Sequence, residues 1–298
     1  MTKLGQIAAT VGLLFSHLTP ASMAFAEGSP RRVATVSSRD RNEMRLAPFY
    51  QKILVDDGLI FASSEKGCDA ALCEAAEIID HMLARNAAVR QAIVDAKVRI
   101  VVMAPTEMTT EVPEHAHLTP RDYWDRRARG LGWSRQAPIV SCGEENLLAY
   151  PGDPYAAENI LVHEFAHAVH SVGLAKLQPD FDADLRVAYN RAIERGLWKG
   201  TYAGSNHAEY WAEGSQTWFE ANAPAGFVHN DIDTRREIKE YDPRLAELLE
   251  EVYGDVHWRY VRIDRRANQP PNRESLPRFA WPSRLADVNL ESEVEDSQ

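Results

Sequence analysis

The fold is decided by residues 161–170, which read Leu161-Val162-His163-Glu164-Phe165-Ala166-His167-Ala168-Val169-His170. They contain H-E-x-x-H in an otherwise apolar run, an arrangement that zinc hydrolases use on a helix. Because a helix turns by roughly 100° per residue, His163 and His167 project from nearly the same face, one turn apart. Glu164 lies beside that face, within reach of a metal-bound water. Buried ionisable groups need partners, so the cluster indicates a metal site; histidines packed in a core are the alternative.

The first 26 residues have the pattern of a secretory signal peptide. Lys3 precedes a mostly apolar stretch from Ile7 to Leu18, which is far too short to span a bilayer. Ala24-Phe25-Ala26 then provides the small-x-small pattern of a cleavage site, and polar residues follow. We therefore predict cleavage after Ala26 and a secreted or periplasmic mature protein, with an interfacial N-terminal helix as the alternative.

The composition is that of an acidic globular protein. The 298 residues are 45% hydrophobic and 26% charged, with a formal net charge of −11, so the chain is long enough to bury a sizeable core. Removal of the signal peptide takes away Lys3 and no acid, which makes the charge −12. An acidic chain is a poor partner for nucleic acid or anionic membranes. We therefore expect no nucleic-acid partner and no membrane anchor. The sequence does not indicate an oligomeric state.

Three cysteines could form one disulfide in an oxidising compartment. Cys68 and Cys73 are close enough in sequence for a small local bridge at a helix start, although a fully helical pair at this spacing would be too far apart. Cys142 would then be an unpaired, buried thiol. The three cysteines lack the paired spacing of a structural zinc site.

Hydrophobic patterns along the chain predict one domain with strands first and helices later. A strand–turn–strand unit surrounds residues 56–58, and the clearest strand runs from Lys97 to Ala104. The predicted helices are one that begins near Asp69, Ala87 to Ala96, Asp182 to Glu194, Asn206 to about Ala221, and Asp242 to Gly254. Val256 to Ile263 is expected to be a last strand. Residues 27–45 should form a loosely ordered leader, 46–265 the domain, and 266–298 a Pro-rich and acidic tail.

Residues 105–140 are rich in loops and carry two ambiguous patterns. His115 and His117 form an H-x-H pair, which we interpret as solvated surface rather than a metal site. Trp124 to Trp133 mixes aromatic and basic residues. That segment could contact a substrate, but a packed loop with paired arginines is the preferred interpretation.

The helix that carries the motif is predicted to run from Pro154 to Ser171. Asp153-Pro154 combines an N-cap with a first-turn proline, and Gly173 follows where the helix should end. Leu147 to Tyr150, just before this helix, is predicted to be an edge strand that aligns an extended peptide by backbone pairing.

Catalytic zinc takes three protein ligands and a water, so one more ligand is needed. His170 lies roughly 10 Å beyond His163 along the helix axis, which makes convergence on one ion awkward; we expect it to support the site or the fold. The later helix carries a polar stripe beside aromatic residues, namely Glu209, Glu213, Gln216 and Glu220. Carboxylates buried there need a cation. This favours Glu209 as third ligand, with Glu213 orienting a histidine, over a solvated acidic face.

Residues 202–213 carry a resemblance to a known family. They read Tyr202-Ala203-Gly204-Ser205-Asn206-His207-Ala208-Glu209-Tyr210-Trp211-Ala212-Glu213. Together with H-E-F-x-H, this segment resembles the catalytic domain of the anthrax lethal factor group of zinc metallopeptidases. The shared spacing puts a tyrosine seven residues before a ligand glutamate and a second, supporting glutamate four residues after it. The resemblance covers about 60 residues, from Asn159 to Glu220, and none of the group's large accessory domains.

The resemblance implies an α+β, zincin-like metallopeptidase domain, in which a mixed sheet packs on the motif helix and the C-terminal half is mainly helical. Its implied Zn²⁺ ligands are His163, His167 and Glu209. Glu164 would be the general base that activates water, and Tyr202 would donate to the developing oxyanion. The implied activity is hydrolysis of a peptide or protein substrate. Two alternatives stay open: a secreted zinc-binding protein without turnover, and a zincin-like hydrolase of a non-peptide amide, such as a cell-wall or glycan linkage.

Overall fold

Six strands form one mixed sheet in the order β1-β2-β3-β4-β6-β5. The computed structural model describes residues 31–223, 230–267 and 275–290. The strands are β1 (Ala34–Thr35), β2 (Lys52–Asp56), β3 (Leu59–Ser63), β4 (Arg99–Met103), β5 (Gly130–Leu131) and β6 (Ile139–Gly143). β3, β4 and β6 are parallel neighbours, whereas the remaining pairs are antiparallel. The sheet is therefore mixed, with short antiparallel strands at both edges.

Helices connect the strands in the first half of the chain and form most of its second half. The helices are α1 (Ser38–Glu43), α2 (Asp69–Met82), α3 (Ala87–Asp95), α4 (Arg121–Arg127), α5 (Glu144–Leu147), α6 (Ile160–Ala168), α7 (Ala175–Leu177), α8 (Phe181–Glu194), α9 (His207–Trp218), α10 (Arg235–Tyr241) and α11 (Pro243–Tyr253). In the part of the chain that the structure describes, no strand follows β6. The predicted α+β class, with a mixed sheet and a mainly helical C-terminal half, is confirmed. No helix among the described residues combines the length and apolar character that a membrane span needs.

The central strands are buried on both faces. Phe61, Ile100 and Val102 lie in the larger core with the apolar sides of α2 and α6. Val101 and Met103 belong to a smaller core on the other face of the sheet. Because successive side chains of a strand alternate between faces, a strand covered on both sides reads as a continuous apolar run. This is why the strand over residues 99–103 was predictable.

Of the predicted leader, the structure describes residues 31–45, and several of these residues pack against the sheet and α2. Arg31 forms an ion pair with Asp56, with its Nε 2.8 Å from Oδ2, and also pairs with Glu77 and Asp80 on α2. Val36 contributes to the smaller core. The polar, Arg-rich composition of this segment did not indicate these contacts, because the partners of Arg31 lie 25 or more residues further along the chain. The predicted signal peptide, residues 1–26, lies outside the described residues.

The motif helix begins at Ile160 and not at Pro154, because one side chain holds the preceding loop. Asn146 donates from Nδ2 to the carbonyls of Tyr155 and Glu158, both at 2.9 Å, and its Oδ1 accepts from the amide of Ile160 at 2.9 Å. Asn159 is the N-cap and accepts from Val162 N. These bonds keep residues 153–159 out of the helix.

The predicted edge strand at Leu147 to Tyr150 is also wrong. Residues 144–147 form the short helix α5, and all four are buried. Glu145 within it forms an ion pair with Arg129, with Oε1 2.5 Å from Nε and both side chains fully buried. A buried carboxylate needs such a partner, and the helical turn directs it toward Arg129. The sheet edge is instead supplied by β5, which pairs with β6.

Gly173 does not end the motif helix. A π-helical turn, Val169–Leu174, follows α6 and continues into α7. A Cβ on residue 173 would lie 2.7 Å from Val89 Cγ1 on α3, so glycine is required there for close helix packing. A glycine near the end of a helical pattern can mark either the end of the helix or a close contact with another helix. The sequence alone does not separate the two, which is why Gly173 was predicted to end the helix.

The predicted last strand is not formed, and part of the C-terminal segment is packed. Residues 256–262 form no strand; Tyr260 N donates to Phe219 O at 2.8 Å and Trp258 stacks on His81, so the aromatic side chains pack against helices. The region expected to be a tail is partly packed, since Phe279 and Leu285 are buried in a third small cluster. Phe279 and Leu285, with Trp281 packed against them, supply this apolar surface within a segment whose average composition is polar.

The Cys68–Cys73 bridge that the sequence left open is not formed, Cys142 is unpaired and buried as expected, and part of the H-x-H pair differs from expectation. All three cysteines are free thiols. α2 begins directly after Cys68, so Cys73 has the near-helical offset that separates the two sulfurs. His115 is buried rather than solvated, with Nε2 2.9 Å from Ser141 Oγ on β6. The predicted surface role is wrong for His115, because the loop folds back over the sheet, whereas His117 is exposed as predicted.

Candidate metal centre

The centre is built from two packed helices. α6 presents His163 and His167 one turn apart, and α9 presents Glu209 from its first turn. Asn206 caps α9 by accepting from the amides of Ala208 and Glu209. Trp211 Nε1 donates to Ala166 O at 3.0 Å, which joins α9 to α6 directly beside the ligand positions.

Three side chains from these helices converge. The Nε2 atom of His163 lies 2.9 Å from Glu209 Oε2 and 3.3 Å from His167 Nε2. His167 Nε2 lies 3.4 Å from the same carboxylate oxygen. One ligand atom from each of His163, His167 and Glu209 lies within 4.8 Å of the others, so the three could hold a metal ion.

The other ring nitrogen of His163 is fixed by α9. Its Nδ1–H donates to Gln216 Oε1 at 2.9 Å, and Glu213 Oε1 lies 3.3 Å away. Gln216 Nε2 donates to Glu158 Oε2 at 3.0 Å and to Asn159 O at 3.1 Å, which sets the orientation of its amide. With a proton held on Nδ1, Nε2 is the nitrogen that a metal ion would bind, on the side that faces His167 and Glu209.

The ionisation of the cluster is strongly perturbed. Burial alone would lower the pKa of His163, but hydrogen bonds to Glu209 and Glu213 raise it well above its ordinary value. Burial alone would raise the pKa of Glu209, but hydrogen bonds to His163 and His167 hold it far below its usual range. Burial raises the pKa of Glu164. The carboxylates therefore attract positive charge to the point where the three ligand atoms meet.

This donor set fits a zinc ion. Two imidazole nitrogens facing each other at 3.3 Å, with one carboxylate oxygen beside both, cannot all be satisfied by a single proton. One divalent cation satisfies all three at once. Two histidines and one glutamate, with a further position left for water, are a common ligand set of catalytic zinc. The assignment of Zn²⁺ to these residues remains a prediction.

Glu164 and Tyr202 lie beside the cluster and line one cavity of about 260 Å³ with His163 and Glu213. The Tyr202 ring lies nearly parallel to the His163 ring, at 27° and with centroids 5.9 Å apart. Burial, together with the nearby Glu209 carboxylate, raises the pKa of Tyr202, so its hydroxyl stays protonated and can donate. A carboxylate and a phenolic hydroxyl thus share the cavity next to the ligand atoms.

His170 stands apart from the three ligand atoms. Its Nε2 lies 3.1 Å from Asp182 Oδ1, and its ring contacts Phe181 and Trp211. In the described residues, no hydrogen bond joins it to His163, His167 or Glu209. The contacts of His170 are thus with the surrounding fold, two helical turns from His163.

Residues between α4 and β6 contribute contacts that the sequence did not indicate. Gly132 packs on His167: a Cβ there would lie 2.9 Å from His167 Cδ2. Gly130 of β5 and Arg127 at the end of α4 line the same cavity as Glu164. Arg127 to Gly132, within the segment Trp124 to Trp133, are therefore part of the site wall and not only a packed loop. The alternation of arginines and glycines in this segment was the sequence feature that could have indicated a role in the site.

No family model matches the chain, and no curated protein matches it. Among solved structures, the chain is similar to the Pro-Pro endopeptidase of Paenibacillus alvei, with 18% sequence identity. The alignment covers 65% of this chain and 97% of that chain, with a TM-score of 0.45. This similarity concerns the fold at most.

Proposed function

We propose that this protein is a zinc-dependent metallopeptidase with the ligand arrangement of the lethal factor group. The observation that carries the proposal is the convergence of His163, His167 and Glu209 beside a cavity lined by Glu164 and Tyr202. These five residues are the ones that the motif spacing selects. A three-member ligand set supports a catalytic site over a storage site, because a position remains for water.

Each side chain at the cavity has a chemical role. Bound zinc supplies a Lewis acid that polarises a carbonyl and makes water more acidic. Glu164 accepts the proton of the attacking water and returns it to the leaving amine; a pKa raised by burial suits a group that must do both. Tyr202 donates a hydrogen bond to the oxyanion that develops on the substrate carbonyl, and loss of such a donor typically costs ~10²–10³ in turnover. Glu213 and Gln216 hold His163 in the required orientation.

A peptide substrate would lie along β5. This strand is at the sheet edge, and its Gly130 lines the cavity that contains Glu164. An edge strand pairs with an extended peptide through backbone hydrogen bonds. The role assigned to Leu147–Tyr150 from sequence is thus transferred to Gly130–Leu131. We also propose that the protein is exported after cleavage at Ala26, as the N-terminal pattern predicts.

The test compares zinc content and peptide cleavage in three purified variants. We expect Glu164→Gln to bind one zinc per chain and to lose cleavage of a mixed peptide library. Glu209→Ala should lose zinc and cleavage together. The control is Glu220→Ala, which removes a carboxylate that pairs with Arg259 outside the cluster, and it should behave as the wild type.

Three results would contradict the proposal. Wild-type activity in Glu164→Gln would exclude its role as base. A wild type that binds zinc and cleaves no peptide, but releases products from cell-wall or glycan amides, would favour the non-peptide alternative. An X-ray absorption spectrum that shows four protein ligands on the zinc ion, together with no cleavage of either substrate class, would favour a zinc-binding protein without turnover.

A further inference from the structure

Arg127 places a cationic group in the cavity of the metal centre. It is the last residue of α4 and lies three positions before β5. Its side chain lines the cavity shared with Glu164 and Tyr202. The backbone carbonyl of Arg127 accepts a hydrogen bond from Tyr155 Oη at 2.6 Å, which fixes the residue against the cavity wall.

The neighbouring arginines are committed to the fold, whereas Arg127 is not. Arg126 lies over the Trp281 ring, 4.7 Å from its centre. Arg129 is fully buried and pairs with Glu145. The guanidinium of Arg127 is near the Trp124 ring, at 5.6 Å, and its main polar surroundings are tyrosine hydroxyls, including that of Tyr202. Within the described residues, no carboxylate lies at ion-pairing distance from it.

The carboxylates of the same cavity are directed toward other groups. Glu158 accepts from Gln216, and Glu213 accepts from Asn222 Nδ2 at 3.2 Å while facing His163. Glu164 lies near enough to Arg127 for the guanidinium to act on its ionisation, yet it must remain available to water. Arg127 is therefore the cation in this cavity that has room for a further anionic partner.

We propose that Arg127 binds a carboxylate of the substrate close to the bond that is cut. This inference rests on the proposed peptidase function and specifies its substrate class. A guanidinium matches a carboxylate with two parallel hydrogen bonds, which a neutral amide cannot reproduce. A peptide paired with β5 would carry the carboxylate past the end of α4. Its source is either an acidic side chain or the C-terminus of the peptide, and the experiment distinguishes the two.

The test measures binding without turnover, in the zinc-loaded Glu164→Gln protein. The probes are acetyl-hexa-alanine amides in which one Glu is placed at each position in turn, and the matched Gln peptides. A third probe is acetyl-hexa-alanine with a free C-terminus. Dissociation constants are measured by titration calorimetry in this protein, in its Arg127→Gln derivative and in its Arg126→Gln derivative, which is the matched control.

We expect one probe with a carboxylate to bind about tenfold more tightly than its uncharged partner, as a charge-assisted bond provides. Arg127→Gln should abolish this preference and Arg126→Gln should keep it. A preference at one Glu position identifies a side chain, and a preference for the free C-terminus identifies a terminal carboxylate. Equal binding of both members of every pair, no measurable binding, or a preference that survives in Arg127→Gln would overturn the proposal.

A cleavage assay separates this proposal from the proposed function and from a role of Arg127 in holding Tyr202. If Arg127 only supports Tyr202, Arg127→Gln lowers kcat equally for acidic and neutral peptides. If it binds a carboxylate, the loss lies in kcat/KM for the acidic member alone. The first pattern overturns the carboxylate proposal and leaves the peptidase activity standing.

Discussion

Replacement of Gln216 by methionine is expected to weaken zinc binding without touching a ligand. Gln216 fixes the Nδ1 proton of His163 through its Oε1 atom, at 2.9 Å. Methionine has a similar length and volume but cannot make this bond. Loss of a group that orients a metal-binding histidine typically weakens affinity 10–100-fold, which is about 1.4 to 2.7 kcal/mol. Because Glu213 Oε1 remains 3.3 Å from the same nitrogen, we expect a loss near tenfold.

The same substitution removes three hydrogen bonds in the metal-free protein. Besides the bond to His163, Gln216 Nε2 donates to Glu158 and to Asn159 O. At about 0.5 to 1.5 kcal/mol each, the free energy of unfolding of the metal-free protein should fall by roughly 1.5 to 4.5 kcal/mol. Urea unfolding in the presence of a chelator measures this loss, and competition with a chromophoric chelator measures the zinc dissociation constant.

Ser215→Ala is the control for this experiment. Ser215 is also buried on α9, but its hydroxyl donates to Trp211 O at 2.8 Å and contacts Tyr253, away from His163. It should lower stability slightly and leave zinc affinity unchanged. A folded Gln216→Met protein that binds zinc as tightly as the wild type would refute the reasoning, because the orientation of His163 would then not depend on α9.

Three further outcomes are expected. Glu145→Ala leaves the buried Arg129 without its carboxylate and should reduce the free energy of unfolding by about 3–5 kcal/mol, measured by chemical denaturation. Burial raises the pKa of Glu144 from 4.5 to about 7, so the folded state keeps a proton that the unfolded chain releases as the pH rises. The free energy of unfolding should therefore fall by about 3 kcal/mol between pH 4.5 and 7. Urea titrations at several pH values measure this slope, and Glu144→Gln should flatten it. Gly132→Ala should displace the His167 ring and weaken zinc binding in the chelator competition. An unchanged zinc dissociation constant would show that the loop around residue 132 moves and the His167 ring does not.

The parts of the site that sequence could predict are local in the chain. His163 and His167 share a face because helical geometry is the same in every helix. The start of α9 followed from Asn206, whose side chain caps the amides directly after it. Glu209 lies 42 residues beyond His167; the polar stripe made it a candidate and the resemblance selected it, since no local rule joins two helices across that distance.

The parts that could not be predicted depend on contacts between distant residues. Asn146 decides where α6 begins by binding backbone atoms of residues 155–160, and nothing in its own neighbourhood indicates this. β5 has only two residues, which is too short for a hydrophobic period to be visible. Arg127 differs from Arg126 and Arg129 only in its surroundings, which the sequence pattern does not contain.

The bond from Trp211 to the carbonyl of Ala166 has a consequence for how this protein can change in evolution. The alignment of the two ligand-bearing helices is set by this bond and by the side chains packed around it, and not by the length of the chain that connects them. Insertions at the exposed residues Lys199 and Gly200, in the connection between α8 and Tyr202, should therefore leave the distance between His163 and Glu209 unchanged. Relatives of this protein can be expected to vary most in the length of that connection and least in the four positions His163, Ala166, Glu209 and Trp211.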